Sequence, residues 1–491
     1  MMRIDALVGD LPGLTLHGTP DADVTSITLD SRAVRPGALF AALPGREFDG
    51  KRFIDSALAA GAAAILSTGI RPAALHHRIA WLESDQPRVA LAAIARRLAG
   101  APDERLRVIG VTGTKGKTTC VHMLEAALNA CDVPTAIGGT LGQRFGEQVW
   151  ESALTTAEAP QLWSFLHDAA DAGAQAAALE VSSIALDAAR VHGVRFAAAI
   201  LTGIGHDHLD VHGTHDRYRR AKRILFEMLE TDCFAVLPAD DPYMQEFAQA
   251  TRARCITFGS AQHSDWRVSD HRPSANGATF NLTSPNGTYA VESARPGHWD
   301  ALNLAAAAAV AENLGAPIER ALSGLRSLVD IPGRFERIDA AQPFLAVVDY
   351  AHTPESLERV LRLMRQTTVG RLICVFGCGG ERDREKRPQM GRLAAEIADI
   401  VVITDDNPRH EDPARIAHEI LAGSRHGHAN VQWISPREAA IAHAVDLAAD
   451  GDALLVAGKG HETYQDIGGI KRPFDDRRVL RAALAQRWGR P

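Results

Sequence analysis

No stretch of this 491-residue sequence approaches the roughly 20 unbroken apolar residues of a membrane-spanning helix, so no membrane span is expected. No long run of lysine and arginine occurs either, and the formal net charge is -7. Nucleic acid is therefore not expected as the main partner. Met1 to Asp10 contains no apolar block of signal-peptide length. The six cysteines form no Cys-x-x-Cys pair. Cys374 and Cys378 flank a glycine turn, which alone is weak ground for a metal site. Reduced thiols and a cytoplasmic location are the expectation. Internal repeats and low-complexity tracts are absent as well. What remains is a chain 46% hydrophobic and 23% charged, ordinary for a globular protein, and long enough for about three domains.

The stretch that organises the rest is Val108-Ile-Gly-Val-Thr-Gly-Thr-Lys-Gly-Lys-Thr-Thr119. It reads as a buried strand, a glycine-rich turn and the start of an apolar helix. Gly113 and Gly116 let the backbone fold so that its N–H groups, including those of Thr114, Lys115 and Thr119, face anionic oxygens. The helix adds its positive N-terminal dipole. Lys117 can reach the β- and γ-phosphates of a nucleotide, and Thr118 can place its hydroxyl on Mg²⁺. The match to the phosphate-loop pattern is incomplete, because Val111 holds the first glycine position. A glycine- and threonine-rich connection without a ligand is the bland alternative.

Three α/β domains are expected: residues 1–100, small and carrying one clear helix between short strands; 101–332, a central phosphate-loop domain on a mainly parallel sheet; and 333–491, Rossmann-like. In the central part strands at Ala176–Ser183 and Ala197–Thr202 alternate with helices, which places ligands at the strands' carboxyl ends. Residues 265–296 carry Asn-Gly turns and alternating polarity, as in a small antiparallel excursion. Beyond Ile331-Pro-Gly-Arg-Phe-Glu336 come apolar strands at Leu345, Leu372, Ile400 and Ala453 with helices between them.

Glu180 closes an apolar strand, where a carboxylate is costly unless paired or metal-bound. Thr202-Gly-Ile-Gly-His-Asp-His-Leu-Asp-Val-His212 ends the next strand. So dense a His/Asp loop suggests a metal or phosphate site, although each histidine taken alone reads as structural. Lys222 follows on a basic helix, and composition alone favours a solvated face there. In the last domain the loops at Phe376–Pro388, Asp405–Arg409 and Gly458–Glu462 are rich in Arg, Asp and Glu. Arginine forks suit carboxylates, and carboxylates suit an ammonium group. A rim built from these loops would suit a zwitterionic amino acid.

Gly113-Thr-Lys-Gly-Lys-Thr-Thr119, Glu180-Val-Ser-Ser, Asp207-His-Leu-Asp, Gly333-Arg-Phe-Glu, Asp349-Tyr-Ala-His-Thr-Pro and Gly458-Lys-Gly-His-Glu462 occur in this order. By these pieces the chain resembles the Mur ligases over nearly its full length, most closely the MurE type, which adds meso-diaminopimelate to UDP-N-acetylmuramoyl-L-alanyl-D-glutamate. The resemblance implies ATP and Mg²⁺ as cofactors, with Lys117 and Thr118 on phosphates and metal. It implies Glu180 and His208 as further metal ligands, and Lys222 as a lysine carbamylated by CO₂. Asn303, Arg334 and Asp349 would contact nucleotide. Arg382, Asp406, Asn407, Pro408, Arg409, Gly458 and Glu462 would bind diaminopimelate. Ser31, Arg46, Glu47, Phe48, Thr155, Thr156, Ser182 and Arg190 would bind the UDP-sugar dipeptide. Lys115, Leu154, Ala188, Gly203 and Asp300 depart from the family pattern.

The expected activity is an ATP-dependent amide ligation through an acyl phosphate, in peptidoglycan precursor synthesis, by a monomer with small-molecule substrates only. Lysine as the added amino acid is the nearest alternative, and Arg409 speaks for a second carboxylate. A diverged ligase with another acyl substrate, a nucleotide-hydrolysing switch using the same loop, and a catalytically silent binding protein are the remaining readings.

Overall fold

The computed structural model describes residues 1–18, 22–45, 48–73 and 75–489. The chain forms two compact units, Met1–Arg267 with Asn303–Gly324, and Val268–Leu302 with Leu325–Pro491. The expected α/β architecture with parallel sheets is what these residues build.

Besides the short antiparallel pair Met2–Arg3 with Asp23–Val24, the first unit holds two larger sheets. The smaller is five-stranded, ordered Thr15–His17, Ala80–Glu83, Ala64–Ser67, Ala38–Ala42, Ser26–Thr28. It is parallel except at Thr15–His17. Leu39 and Ala41 enter one apolar cluster, while Ala38, Phe40 and Ala42 enter another. That period of two buries the strand on both faces, which is why it reads as a continuous apolar run. The expectation of one clear helix here is corrected. Besides Ile54–Ala59, helices form at Ile4–Val8 and Pro87–Leu98. Pro87 occupies the first turn, where its missing N–H costs nothing, and Ala90, Leu91, Ile94 and Ala95 form the buried face.

In the larger sheet Thr135–Gly139, Ala176–Glu180, Arg107–Thr112, Phe196–Leu201, Phe234–Pro238 and Arg254–Gly259 lie side by side and parallel. A hairpin, Gly142–Phe145 with Gln148–Trp150, extends it antiparallel to Thr135–Gly139. Glu180 pairs with Val111, and Leu201 with Thr112. The carboxyl ends of these strands therefore finish level, and the loops after them open on one edge. Behind that edge Trp163, Phe165, Leu166, Phe226 and Phe247 fill the core.

The second unit contains a six-stranded sheet: Glu336–Arg337, Leu345–Asp349, Ala453–Ala457, Leu372–Phe376, Ile400–Ile403, Asn430–Trp433. Only Glu336–Arg337 runs antiparallel to its neighbour. Leu372, Cys374 and Phe376 face one core, and Ile373 and Val375 face the other. The edge strand Asn430–Trp433 has no counterpart in the sequence reading, because it is only four residues long and carries no continuous apolar run. The antiparallel excursion expected over 265–296 is present as Gly277–Ser284 paired with Gly287–Ser293.

Helices Lys386–Ile397 and Pro413–Ser424 pack backbone to backbone through glycines. A Cβ at Gly391 would lie 2.1 Å from the Ile420 carbonyl oxygen, and one at Gly423 would lie 1.9 Å from that of Pro388. Neither neighbour is a side chain that could swing away. Arg437, fully buried, lies against the other side of the sheet. It pairs with Asp476 at 2.7 Å and donates to the carbonyls of Asp405 and Ala457 at 3.1 and 2.9 Å. Thus one guanidinium ties together the carboxyl ends of two strands. Gly423→Ala is expected to destabilise the protein by about 1–3 kcal/mol through overpacking, read as a lower midpoint in thermal unfolding.

Candidate active site

The loop after Arg107–Thr112 turns on two glycines. Gly113 has φ +146°, and a Cβ there would meet the Thr202 hydroxyl at 2.0 Å. Gly116 is left-handed and precedes the helix Lys117–Asn129. Asn303 stands beside it, its amide 3.0 Å from where a Cβ would be. Thr118 and Thr119 are buried in the first helical turn. The loop is fastened on one side by Thr114, whose N–H donates to the Gly203 carbonyl at 2.9 Å. The Thr114 hydroxyl accepts from the Gly205 N–H at 2.8 Å and lies 2.9 Å from the Tyr218 hydroxyl. Lys115 forms an ion pair with Asp207 at 3.2 Å.

Two lysines converge on one oxygen. Lys117 Nζ donates to the Gly113 carbonyl at 2.8 Å, and Lys222 Nζ donates to the same oxygen at 2.9 Å. Lys222 is 1% exposed, and its ammonium lies over the Tyr218 ring, 4.6 Å from the centroid. Burial pushes its pKa well below the ordinary lysine value, and the Lys117 charge pushes it further. Lys222 is thus no solvated basic residue, although its helix is basic.

Glu180 is 2% exposed. Its Oε1 accepts from the Thr140 N–H at 2.8 Å, and its Oε2 from the Thr140 hydroxyl at 3.1 Å. The Thr140 hydroxyl also lies 3.2 Å from that of Thr155. Thr156 donates to the Glu180 carbonyl at 2.9 Å and accepts from the Ser182 N–H at 3.0 Å. Arg190 donates to the Thr156 carbonyl at 3.1 Å and pairs with Glu158 at 2.9 Å. Thr155, Thr156, Ser182 and Arg190 therefore gather around Glu180. His208 follows Asp207 with its side chain 45% exposed. Among the described residues, no three of the His, Cys, Asp and Glu side chains group as a metal cage. Ser31 opens a short turn, Ser31–Ala33, and Phe48 is exposed beside Arg52. Arg46 and Glu47 lie outside the described residues.

In the second unit the strands end level again, with Asp349 paired to Ala457 and Phe376 to Ile403. Asp349 accepts from the Phe335 N–H at 2.7 Å. Burial raises its carboxyl above the usual value, and that bond opposes the shift. Arg334 lies over the Tyr350 ring at 4.6 Å, and the His352 and His461 rings lie tilted against it with centroids 4.4 and 5.0 Å away. Burial and then the nearby Arg334 charge push the His461 imidazole down to about 3, so it is neutral at physiological pH.

Asn407 and Glu462 meet: the Asn407 amide donates to Glu462 at 2.9 Å. Buried Lys459 donates to both, at 3.0 and 2.9 Å. Asp406 is buried, and a Cβ on Gly458 would lie 2.7 Å from its carboxylate. Pro408 and Arg409 continue this loop, and the Arg409 guanidinium donates to the Gly380 carbonyl. A Cβ on Gly379 would touch both Arg409 Nη1 at 3.1 Å and Arg382 Cγ at 3.7 Å. The Arg409 guanidinium and the aliphatic stem of Arg382 thus lie over the same glycine.

Several working residues carry no sequence prediction. Thr140 orients Glu180, Tyr218 packs on Lys222, and Lys459 joins Asn407 to Glu462. Lys459 sits inside a quoted run and shows there as a lysine between glycines. Thr140 and Tyr218 gave no signal that separates them from ordinary strand-end and helix residues. Of the departures, Asp300 is balanced by buried Arg295 at 3.1 Å. The six cysteines are free, and no described helix is long and apolar enough to cross a membrane.

Three segments match known families: residues 23–99 the Mur ligase family catalytic domain, 111–311 the Mur ligase middle domain, and 333–460 the Mur ligase glutamate ligase domain. The UDP-N-acetylmuramoyl-L-alanyl-D-glutamate–2,6-diaminopimelate ligase of Geobacillus thermodenitrificans is 39% identical, covering 99% of this chain and all of that protein. The ligase of the same name from Synechococcus elongatus is 42% identical over 99% of each chain. A solved structure of a ligase so named superposes with TM-score 0.70 at 33% identity, covering 99% of both. The MurF ligase of Thermotoga maritima in complex with ADP shares the fold, with TM-score 0.64 at 21% identity over 96% and 98% of the chains. With family segments in order along its length and full-length relatives near 40% identity, the chain belongs to the Mur ligase family.

Proposed function

We propose that this ligase uses ATP to join meso-diaminopimelate to UDP-N-acetylmuramoyl-L-alanyl-D-glutamate in peptidoglycan precursor synthesis. The observation that carries the reading is the rim of the second unit, where Arg382 and Arg409 converge on Gly379 beside Asn407 and Glu462. Two guanidinium groups fit two carboxylates, and Glu462 fits an ammonium. A lysine nucleophile would leave one arginine without a partner. The division of labour follows the chain: 1–100 takes the UDP-sugar, 101–332 the nucleotide and 333–491 the amino acid.

ATP transfers its γ-phosphoryl group to the γ-carboxylate of the D-glutamyl residue, leaving ADP and an acyl phosphate. The backbone N–H groups of Lys115 to Thr119 and the Lys117 ammonium hold the phosphate oxygens and offset their charge; the Thr114 N–H is spent on the Gly203 carbonyl. Thr155, Thr156, Ser182 and Arg190 hold the acyl substrate next to Glu180, with Ser31, Arg46, Glu47 and Phe48 on the UDP-sugar. Asn303, beside Gly116, serves the nucleotide. The free amine of diaminopimelate attacks the acyl carbon, a tetrahedral intermediate forms, and phosphate leaves as the amide closes.

The Thr118 hydroxyl and Glu180 carboxylate are hard oxygen donors that fit Mg²⁺, with the softer His208 imidazole beside them as a further ligand. Mg²⁺ supplies neutralisation of phosphate charge when bound. Lys222 joins this set only as a carbamate, since an ammonium repels a cation. Its buried, depressed amine favours that reaction, because only the neutral amine adds CO₂, releasing a proton.

Release of phosphate from ATP is expected only with both the UDP-sugar dipeptide and diaminopimelate present, with the amide product confirmed by mass. Turnover indifferent to the amino acid would overturn the reading. Lys222→Met is expected to lower kcat on the order of 10²–10³-fold. A carbamate carbon signal from labelled bicarbonate is expected in the unsubstituted protein and should vanish in the variant. Acidification should remove the same signal, because carbamate reverts to amine and CO₂.

A further inference from the structure

Arg387 is 0% exposed, yet the amino-acid site proposed above makes no use of it. It lies in the first turn of Lys386–Ile397, just after the glycine loop 377–380. Its Nη1 donates to Glu411 Oε2 at 2.9 Å and to Glu419 Oε2 at 2.8 Å. Its Nη2 donates to Glu411 Oε1 at 3.0 Å and to the Gly379 carbonyl at 3.1 Å. The guanidinium is therefore a rivet through three pieces of chain.

Glu411 does more than answer Arg387. Its Oε1 also accepts from the Glu381 N–H. Around it the glycine loop is stitched to the following strand-end loop: the Gly380 N–H donates to the Asn407 carbonyl at 2.9 Å, and Arg409 donates back to the Gly380 carbonyl. A Cβ on Gly380 would lie 2.0 Å from the Pro408 carbonyl oxygen, so the two backbones touch. Glu381 and Arg409 both adopt φ of +53°. Side-chain-bearing residues persist there only when their surroundings hold them. Glu419, by contrast, binds Arg387, Arg384 and Arg415, and meets the glycine loop's continuation only through the Arg384 side chain.

We propose that Arg387 and Glu411 form a positioning clamp that fixes the gap between Arg382 and Arg409, and so selects a nucleophile with two carboxylates. This rests on the amino-acid site assigned under the proposed function. Arg382 rides on the glycine loop and Arg409 on the loop stitched to it. Release of Glu411 lets the Glu381 turn relax, and the arginines lose their common spacing. The guanidinium fork is needed because it must reach a carbonyl and two carboxylates at once; an ammonium has no such fixed geometry. Glu411 is bound tightly enough that Arg387 holds its carboxyl down to about 2, so it stays ionised across any assay range.

Glu411→Gln and Glu419→Gln each remove one charge from Arg387, but only the first alters the acceptor of the Glu381 N–H. In the full-length protein, Glu411→Gln is expected to raise KM for diaminopimelate by about tenfold or more. It should leave KM for ATP unchanged and move kcat little, and it should narrow the preference over lysine. Glu419→Gln should leave KM for diaminopimelate as it was. Arg387→Lys, which retains the charge, should behave like Glu411→Gln. Hydrogen exchange gives a second readout that needs no substrate: faster exchange at 379–382 in Glu411→Gln but not in Glu419→Gln. Equal effects of the two glutamate variants on KM and exchange would overturn the clamp. If the unsubstituted protein ligates no diaminopimelate, the proposed function fails, and the exchange contrast alone upholds or overturns the clamp.

Discussion

One carbonyl oxygen, that of Gly113, receives two lysine ammonium groups in a setting almost closed to water. Two like charges at one acceptor are unfavourable, and the fully buried partner gives way first. Lys117 stands at the helix start, half-buried. Lys222 comes from a helix far along the sequence and is driven toward the neutral amine. Much of the first unit serves this meeting. Parallel strands finish level, Tyr218 covers Lys222, and Thr114 pins the loop so that the carbonyl points inward.

The second unit applies a different device to the same architectural opportunity. Its parallel strands also end on one edge, but charge there is handled by arginines bound to carbonyls and carboxylates. Arg437 secures two strand ends, Arg387 secures two loops, and Arg409 is drawn across a glycine. Buried guanidinium groups are tolerable because each has several acceptors in its plane. The glycine contacts between Lys386–Ile397 and Pro413–Ser424 bring Arg387 and Glu419 close enough to meet. Packing of two helices and placement of a functional rim are thus one problem.

Much of this was legible in the residues. Apolar runs bounded by glycine loops gave the parallel strands, and the ordered short runs gave the family. The phosphate loop was readable despite Val111, since strand, glycines, lysine and helix appear in sequence. Other features depend on partners distant in the chain. Lys222 reads as one of several basic residues on its helix, and only the fold reveals that it is buried. Thr140 looks like any residue after a strand, because its meaning comes from Glu180, forty positions later. The helix Pro87–Leu98 escaped because alanine and arginine dominate it, leaving a thin apolar face. The edge strand Asn430–Trp433 escaped because it is four residues long, and so short an alternation does not stand out from a loop.

The pairing of Glu180 with Val111 carries a consequence for how such a protein can change. Side chains alternate faces along a strand, so a shift of one residue would send the Glu180 carboxylate into the opposite layer, among apolar helices. The acidic group cannot be moved by small steps; it is either in register or lost. Loops beyond the strand ends have no such parity and can lengthen or swap side chains freely. Variation in what is recognised is therefore open to the connections, while the phosphate-handling chemistry is locked to the arithmetic of the pleat.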